Sequence, residues 1–155
     1  MAIDVAIEST IERPREDVFD TIADLDRWPD WLVASGIRGV ARDRDGAPVA
    51  GERLVVHQDA AGRAATFEAE VTVFEPGSRL ALRGRDRDGV TIEIEAEVSA
   101  AAESEGEATD LWWAIRIGLP LRYRMFESMA RPQVERAALL DIEGLRRRLE
   151  AAERD

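Results

Sequence analysis

Residues 13–31 read RPREDVFDTIADLDRWPDW, and how this stretch folds decides the architecture. Pro14 has the fixed φ of a first helical residue, and Glu16 and Asp17 follow in the first turn, where the helix dipole favours negative charge. Val18, Phe19 and Ile22 then fall on one helical face. A second short helix is predicted from Trp28 to Ala34, with Pro29 in its first turn and Gly36 stopping it. Asp24, Asp26 and Asp30 read as turn and capping residues. Upstream, residues 3–11 (IDVAIESTI) alternate. Ile3, Val5, Ile7, Ser9 and Ile11 share one face and Asp4 and Glu8 the other, the pattern of a half-buried strand.

Downstream the period is two again. Asp45-Gly46, Ala61-Gly62, Pro76-Gly77 and Asp88-Gly89 punctuate a series of β-rich runs, as hairpin turns do. Six strands are predicted: GIRGVAR (36–42), ERLVVHQ (52–58), ATFEAEVTVFE (65–75), RLALRGR (79–85), VTIEIEAEVS (90–99) and ATDLWWAIRIG (108–118). ESEGE (103–107) is a polar loop. From Leu121 the pattern is helical. Val134, Ala138, Ile142, Leu145 and Leu149 form one stripe, while Met125, Phe126 and Met129 lie about half a turn away. Pro132 sits between the two sets. Either it kinks one helix so that both sets face the sheet, or it starts a second helix.

Charge and composition narrow the function classes. A net charge of −11 argues against a nucleic-acid partner and against simple attraction to an anionic membrane surface. All 21 basic residues are arginine. With no cysteine there is no thiol nucleophile, disulfide or thiolate metal site, and a single histidine excludes any site needing two imidazoles. Neither a charged leader before an apolar run nor a transmembrane-length stretch occurs, so a cytoplasmic protein of one domain over residues 1–155, without stable membrane insertion, is the expectation.

The order of one strand, two short helices, six strands and a long helix resembles the helix-grip fold of START domains, birch-pollen-allergen-like proteins and bacterial polyketide cyclase/dehydrase-like proteins (the SRPBCC superfamily). RPREDVFDTIADLDRWPDW is similar to the family's strand-to-helix passage ending in an aspartate, an aromatic residue and a tryptophan. FEPGSRLALRG (74–84) is similar to its Pro-Gly hairpin, and GEATDLWW (106–113) to its entry into the last strand. The resemblance implies an α+β fold, with a seven-stranded curved antiparallel sheet wrapped around the C-terminal helix. It also implies an apolar cavity between the two, expected at roughly 300–1,000 Å³.

Expected inward faces are Phe67, Ala69, Val71 and Val73; Leu80 and Leu82; Val90, Ile92, Ile94, Ala96 and Val98; and Leu111, Trp113, Ile115 and Ile117. The glutamates opposite them at 68, 70, 93, 95 and 97, with Arg83 and Arg85 on the intervening strand, read as a solvated ladder of cross-strand charges and not as paired catalytic carboxylates. The DRDG stretches at Asp43 and Asp86 resemble the start of a calcium loop, but Ala47 and Val90 stand where a further oxygen ligand is required, so both read as turns and no metal site is expected. No cofactor motif is present.

The expected ligand-binding residues are Phe67, Ile94, Trp113, Met125 and Met129 as cavity wall, Trp31 as core within reach of the ligand, and Trp28 at the rim with an exposed edge. Tyr123 either points its hydroxyl into the cavity mouth or straddles the surface. His57 lies on the face of Arg53 and Val55, opposite Leu54, Val56 and Gln58; if that face is inward, His57 is a candidate acid or base, and if outward it is an ordinary surface residue. Three functions follow. The first is binding or transport of a small hydrophobic or aromatic molecule by a monomer or homodimer. The second is an aromatase/cyclase-like enzyme using His57, Gln58 or Tyr123. The third is a protein-interaction or chaperone-like role anchored by Trp28 and Trp112.

Overall fold

Alternation in the first strand survives intact. In the computed structural model, which describes residues 2–60, 62–103 and 105–152, β1 (Ala2–Ile11) buries Ile3, Val5, Ile7 and Ile11 and turns Asp4 and Glu8 outward. Helix α1 (Arg15–Ala23) follows and buries Val18, Phe19 and Ile22. Arg13 fixes its first turn by pairing with Asp17 at 2.6 Å and donating to the Leu149 carbonyl at 2.6 Å, which ties the start of α1 to the far end of the chain.

The second helical segment differs from expectation. A 3₁₀ turn (Leu25–Arg27) leads into a single α-turn, α2 (Trp28–Trp31), and the helix ends there instead of at Ala34. The tighter 3₁₀ turn re-aims the chain so that Leu25, Trp28, Trp31 and Leu32 are all buried. Gly36 does not stop the helix. With φ +77° it lies against β3, where an added Cβ would come within 1.7 Å of the Asp59 carbonyl oxygen.

Six further strands complete one antiparallel sheet: β2 (Ile37–Arg42), β3 (Arg53–Ala60), β4 (Arg63–Glu75), β5 (Arg79–Arg85), β6 (Thr91–Ala100) and β7 (Thr109–Gly118). The strand order is β1-β7-β6-β5-β4-β3-β2. Gly46, Gly62, Gly77 and Gly89 all take positive φ, as turn glycines do; Ala61, the first residue of one expected turn, and Ser104 in the polar loop lie outside the described residues. The expected charge ladder forms in part: Arg83 stands between Glu70 and Glu93, but Arg85 stands between Glu68 and Thr91, and Arg79, outside the expected ladder, pairs with Glu95 at 2.8 Å.

One inward face changes along its length. A bulge between Val71 and Val73 inserts Thr72 and reverses the alternation, so Phe74, not Val73, sits opposite buried Leu80. Phe74 then meets Phe19 of α1 at 5.9 Å between ring centroids. The irregularity that bends the sheet thus also docks the helix.

The chain returns through a 3₁₀ segment (Leu121–Phe126) into α3 (Glu127–Ala152), which crosses the concave face. Ala138, Ile142, Leu145 and Leu149 are buried and Val134 half-buried, as the stripe predicts. Pro132 splits nothing, because α3 is continuous through it. The half-turn offset between the two apolar sets therefore persists, and Met125, Phe126 and Met129 face solvent, not the sheet. No helix among the described residues is long and apolar enough to cross a membrane.

A buried ion pair closes the opposite edge of the sheet. Arg42 at the end of β2 grips Glu52 with two bonds, at 2.6 and 3.1 Å, and reaches Asp26 at 3.2 Å. The Arg42 and Glu52 side chains are 1% and 4% exposed. The hydrogen bond to Glu52 raises the Arg42 pKa against the opposing effect of burial. Burial pushes the Glu52 carboxyl upward, but the bonds and charge of Arg42, with the Val49 N–H and Arg44, outweigh it and hold the carboxyl below its ordinary value.

Candidate functional site

Where α3 crosses the sheet, the packing leaves a cavity of about 310 Å³. Its floor is the inner face of β6 and β7, with Ile92, Ile94, Trp113, Ile115 and Ile117. These five reach it because strand alternation sends their neighbours Glu93, Trp112 and Arg116 to the other side. Ala130, Gln133, Val134 and Ala137 of α3 form the roof. Leu32, Ala34, Ser35 and Ile37 close one side, together with Gln58, Asp59 and Ala60 at the end of β3.

The lining is predominantly apolar, with its polar groups, Gln133 of the roof apart, collected at that side. Gln58 turns inward with Leu54 and Val56, and its Nε2 donates to the Ser35 carbonyl at 2.8 Å. The same loop is held from above: Asp141 of α3, buried on the helix's inner face, accepts the backbone N–H groups of Ala34 at 2.7 Å and Ser35 at 2.8 Å. A carboxylate taking two backbone donors is a charge-assisted clamp. Asp141 is a site residue missed in the sequence, where its one signal is an acid standing among the buried stripe positions Ala138, Ile142 and Leu145.

The expected site residues divide. Ile94 and Trp113 line the cavity. Phe67 is on the inner face and buried, but it packs in the core away from the lining. Trp31 is buried, as expected of a core residue. Trp28 has no exposed edge at all: it is 0% exposed, and its Nε1 donates to the Ile22 carbonyl at 2.8 Å. Trp28, Trp31 and Trp113 form a triangle of edge-to-face contacts with centroids 5.3–6.4 Å apart. Nε1 of Trp31 and of Trp113 has no hydrogen-bond partner among the described residues.

Met125 and Met129 leave the wall altogether, at 77% and 65% exposed. Tyr123 is half-buried beneath the Arg122 guanidinium, which lies 4.8 Å from its ring centroid, and it does not line the cavity. His57 shares the outer face with Arg53 and contacts Thr66 across the strand pair, Nδ1 to Oγ1 3.3 Å. The sheet therefore separates the imidazole from the cavity, and of the two alternatives for His57 it is the outward-facing one that the fold adopts.

Two larger grooves, of about 630 and 690 Å³, lie on the solvent-facing side of the sheet. One runs past Trp112, between Glu8 and Glu97. The other surrounds Arg63, whose guanidinium pairs with Asp86 and Asp88. Asp86 is a turn residue, its Oδ1 accepting the N–H groups of Asp88 and Val90 at 2.9 Å each. Both grooves are lined largely by charged and polar side chains, whereas the pocket under α3 is mostly apolar.

The fold is shared widely. The Zhui aromatase/cyclase of a Streptomyces species superposes with a TM-score of 0.74 at 18% identity, covering 97% of this chain and 94% of its own. A Deinococcus radiodurans protein gives 0.71 at 20% identity over 96% and 98% of the two chains. A START superfamily protein from Mycobacterium smegmatis gives 0.64 at 18% identity over 96% and 95%. At these identities the likeness concerns the fold alone. No curated protein matches the chain in sequence. Residues 2–150 match the family described as polyketide cyclase/dehydrase and lipid transport. With a seven-stranded sheet gripping a C-terminal helix and nearly its whole length matched, the chain belongs to this family of helix-grip proteins.

Proposed function

We propose that the chain binds a small apolar or aromatic molecule in the cavity between α3 and β6–β7. The observation that carries this reading is the floor of five large apolar side chains, Ile92, Ile94, Trp113, Ile115 and Ile117, facing unfilled space. A concave, mostly apolar wall with a few polar groups is how small-molecule sites are built. The volume, about 310 Å³, is near the low end for ligand pockets and equals about ten water molecules of liquid. It suits a molecule of one or two rings with a polar group toward Gln58 and Ser35, and is small for a long acyl chain. Native mass spectrometry of protein purified from its own host, followed by titration with 1-naphthol, tests the reading. A non-covalent adduct or saturable binding is expected. Uniformly unliganded protein that also fails to bind one- and two-ring probes would overturn it.

An aromatase/cyclase-like reaction is the second reading, supported by the family description and by Gln58 and Asp59 at one side of the cavity with Gln133 in its roof. His57 has no part in it, since it sits on the far side of the sheet. Such chemistry would rest on orientation of a bound chain more than on proton transfer. Gln58→Leu separates the readings. Loss of turnover with retained binding would favour the enzyme.

A further inference from the structure

The 3₁₀ segment and first turns of α3 carry a surface unlike the rest of the molecule. Leu121, Met125 and Met129 are 78%, 77% and 65% exposed, and Phe126 is 48% exposed. They follow one another within nine residues, across the 3₁₀ segment and the first turn of α3. Around them the charge changes sign. Residues 119–136 contain Arg122, Arg124, Arg131 and Arg136 against Glu127 and Glu135, in a chain whose net charge is −11. All four arginines are exposed, and none forms an ion pair with a carboxylate among the described residues, although Arg122 donates to the Asp88 carbonyl and Arg131 to the Ala2 and Asp4 carbonyls of β1.

We infer that this face docks on an anionic lipid bilayer. Protruding apolar side chains within a collar of arginine are the composition of an interfacial helix, which seats its apolar residues at the acyl boundary and its cations among the headgroups. A second copy fits less well. An isologous contact through this patch would set arginine against arginine, and a heterologous contact with the acidic remainder would not close. The side chains stand proud instead of lining a groove, which suits a deformable surface more than a shaped protein partner. The acidic remainder repels the same bilayer, so docking is oriented. Phe126 and Met129 precede the cavity-roof residues Ala130 and Gln133 by one helical turn. If the cavity holds a ligand, as proposed above, the docked protein would present that side of it to the membrane; the docking itself is argued without the ligand.

Flotation with vesicles of equal phosphatidylglycerol and phosphatidylcholine, against pure phosphatidylcholine, tests the inference on the ligand-free protein. Wild type is expected to float with the anionic vesicles and to be released by high salt. Met125→Glu with Met129→Glu, and separately Arg124→Glu with Arg136→Glu, should each reduce the bound fraction by roughly 10-fold or more. Both pairs lie on exposed positions, so unchanged thermal melts show that folding is intact. The inference is overturned if wild type stays in the soluble fraction, if it floats equally with both vesicle types, or if either pair floats like wild type. A dimer in sedimentation that Met125→Glu with Met129→Glu dissociates, without vesicle binding, would assign the face to a second copy instead.

Discussion

The indoles of Trp28 and Trp113 meet edge to face, with centroids 6.0 Å apart and planes at 69°, and so bolt the one-turn helix α2 to the last strand of the sheet. Trp28 is therefore a structural residue. Trp28→Ala is expected to cost about 3–5 kcal/mol, as other buried large-to-small aromatic changes do, and Trp31→Ala a similar amount. Because the two rings touch, at 6.4 Å, the double substitution should cost less than the sum. Urea denaturation of the three variants measures this. A Trp28→Ala protein within about 1 kcal/mol of wild type would refute the placement.

What could be read in the chain was whatever depends on local period. All seven strands, the first helix and the α3 stripe announce themselves in alternation, turn glycines and i, i+4 spacing. Two misreadings share a cause, a local irregularity that shifts phase, while Met125 and Met129 were misread for the opposite reason, because α3 runs on through Pro132. The 3₁₀ turn at Leu25–Arg27 rotated Trp28 inward, and the bulge at Thr72 exchanged Val73 for Phe74. The site was less legible because its members come from distant segments. Gln58 was placed on the correct face but the face could not be assigned. Asp141 gains meaning only when Ala34 and Ser35, more than a hundred residues earlier, arrive beneath it.

Acid should weaken the fold through the buried pair. The Glu52 carboxyl is held below its ordinary value, so in the folded state it stays ionised to lower pH than in the unfolded chain, where a glutamate titrates near about 4.3. The unfolded state then binds the extra proton. Glu52 therefore stabilises fully above the unfolded pKa, and its contribution is lost as pH falls through the folded value. Glu52→Gln is expected to cost about 2–3 kcal/mol at pH 7, since it leaves the buried Arg42 guanidinium with half-exposed Asp26 as its one remaining carboxylate. The difference from wild type should shrink below about pH 4. Glu143, also held low by Arg146, acts equally in both proteins and cancels. Equilibrium denaturation across pH gives the answer. A difference constant down to strong acid would contradict it.

Asp141 should control the loop beside the cavity. Asp141→Ala removes the acceptor of two backbone N–H groups and is expected to cost about 2–4 kcal/mol, while Asp141→Asn, which keeps one acceptor oxygen, should cost about half as much. Hydrogen exchange should rise at the amides of Ala34 and Ser35 in both variants and remain unchanged in β6. Exchange that stays at the wild-type rate in the alanine variant would show that the clamp does not hold the loop.

Filling the cavity should separate ligand binding from stability. Ala137 faces the cavity from α3 and is half-buried, so Ala137→Phe places a ring in space that is empty instead of forcing core atoms apart. The melt should stay close to wild type or rise, since a filled void recovers dispersion contacts. Affinity for 1-naphthol should fall by roughly 10-fold or more, equivalent to about 1.4 kcal/mol. His57→Ala supplies the contrast. Its imidazole lies against Thr66 on the outer face, with the sheet between it and the ligand, so its affinity should stay within about 2-fold of wild type. Titration by tryptophan fluorescence reads both, because Trp113 lines the cavity. The decisive result is the ranking: if His57→Ala abolished binding while Ala137→Phe preserved it, the ligand would have to lie on the opposite side of the sheet, and the cavity under α3 would not be its site.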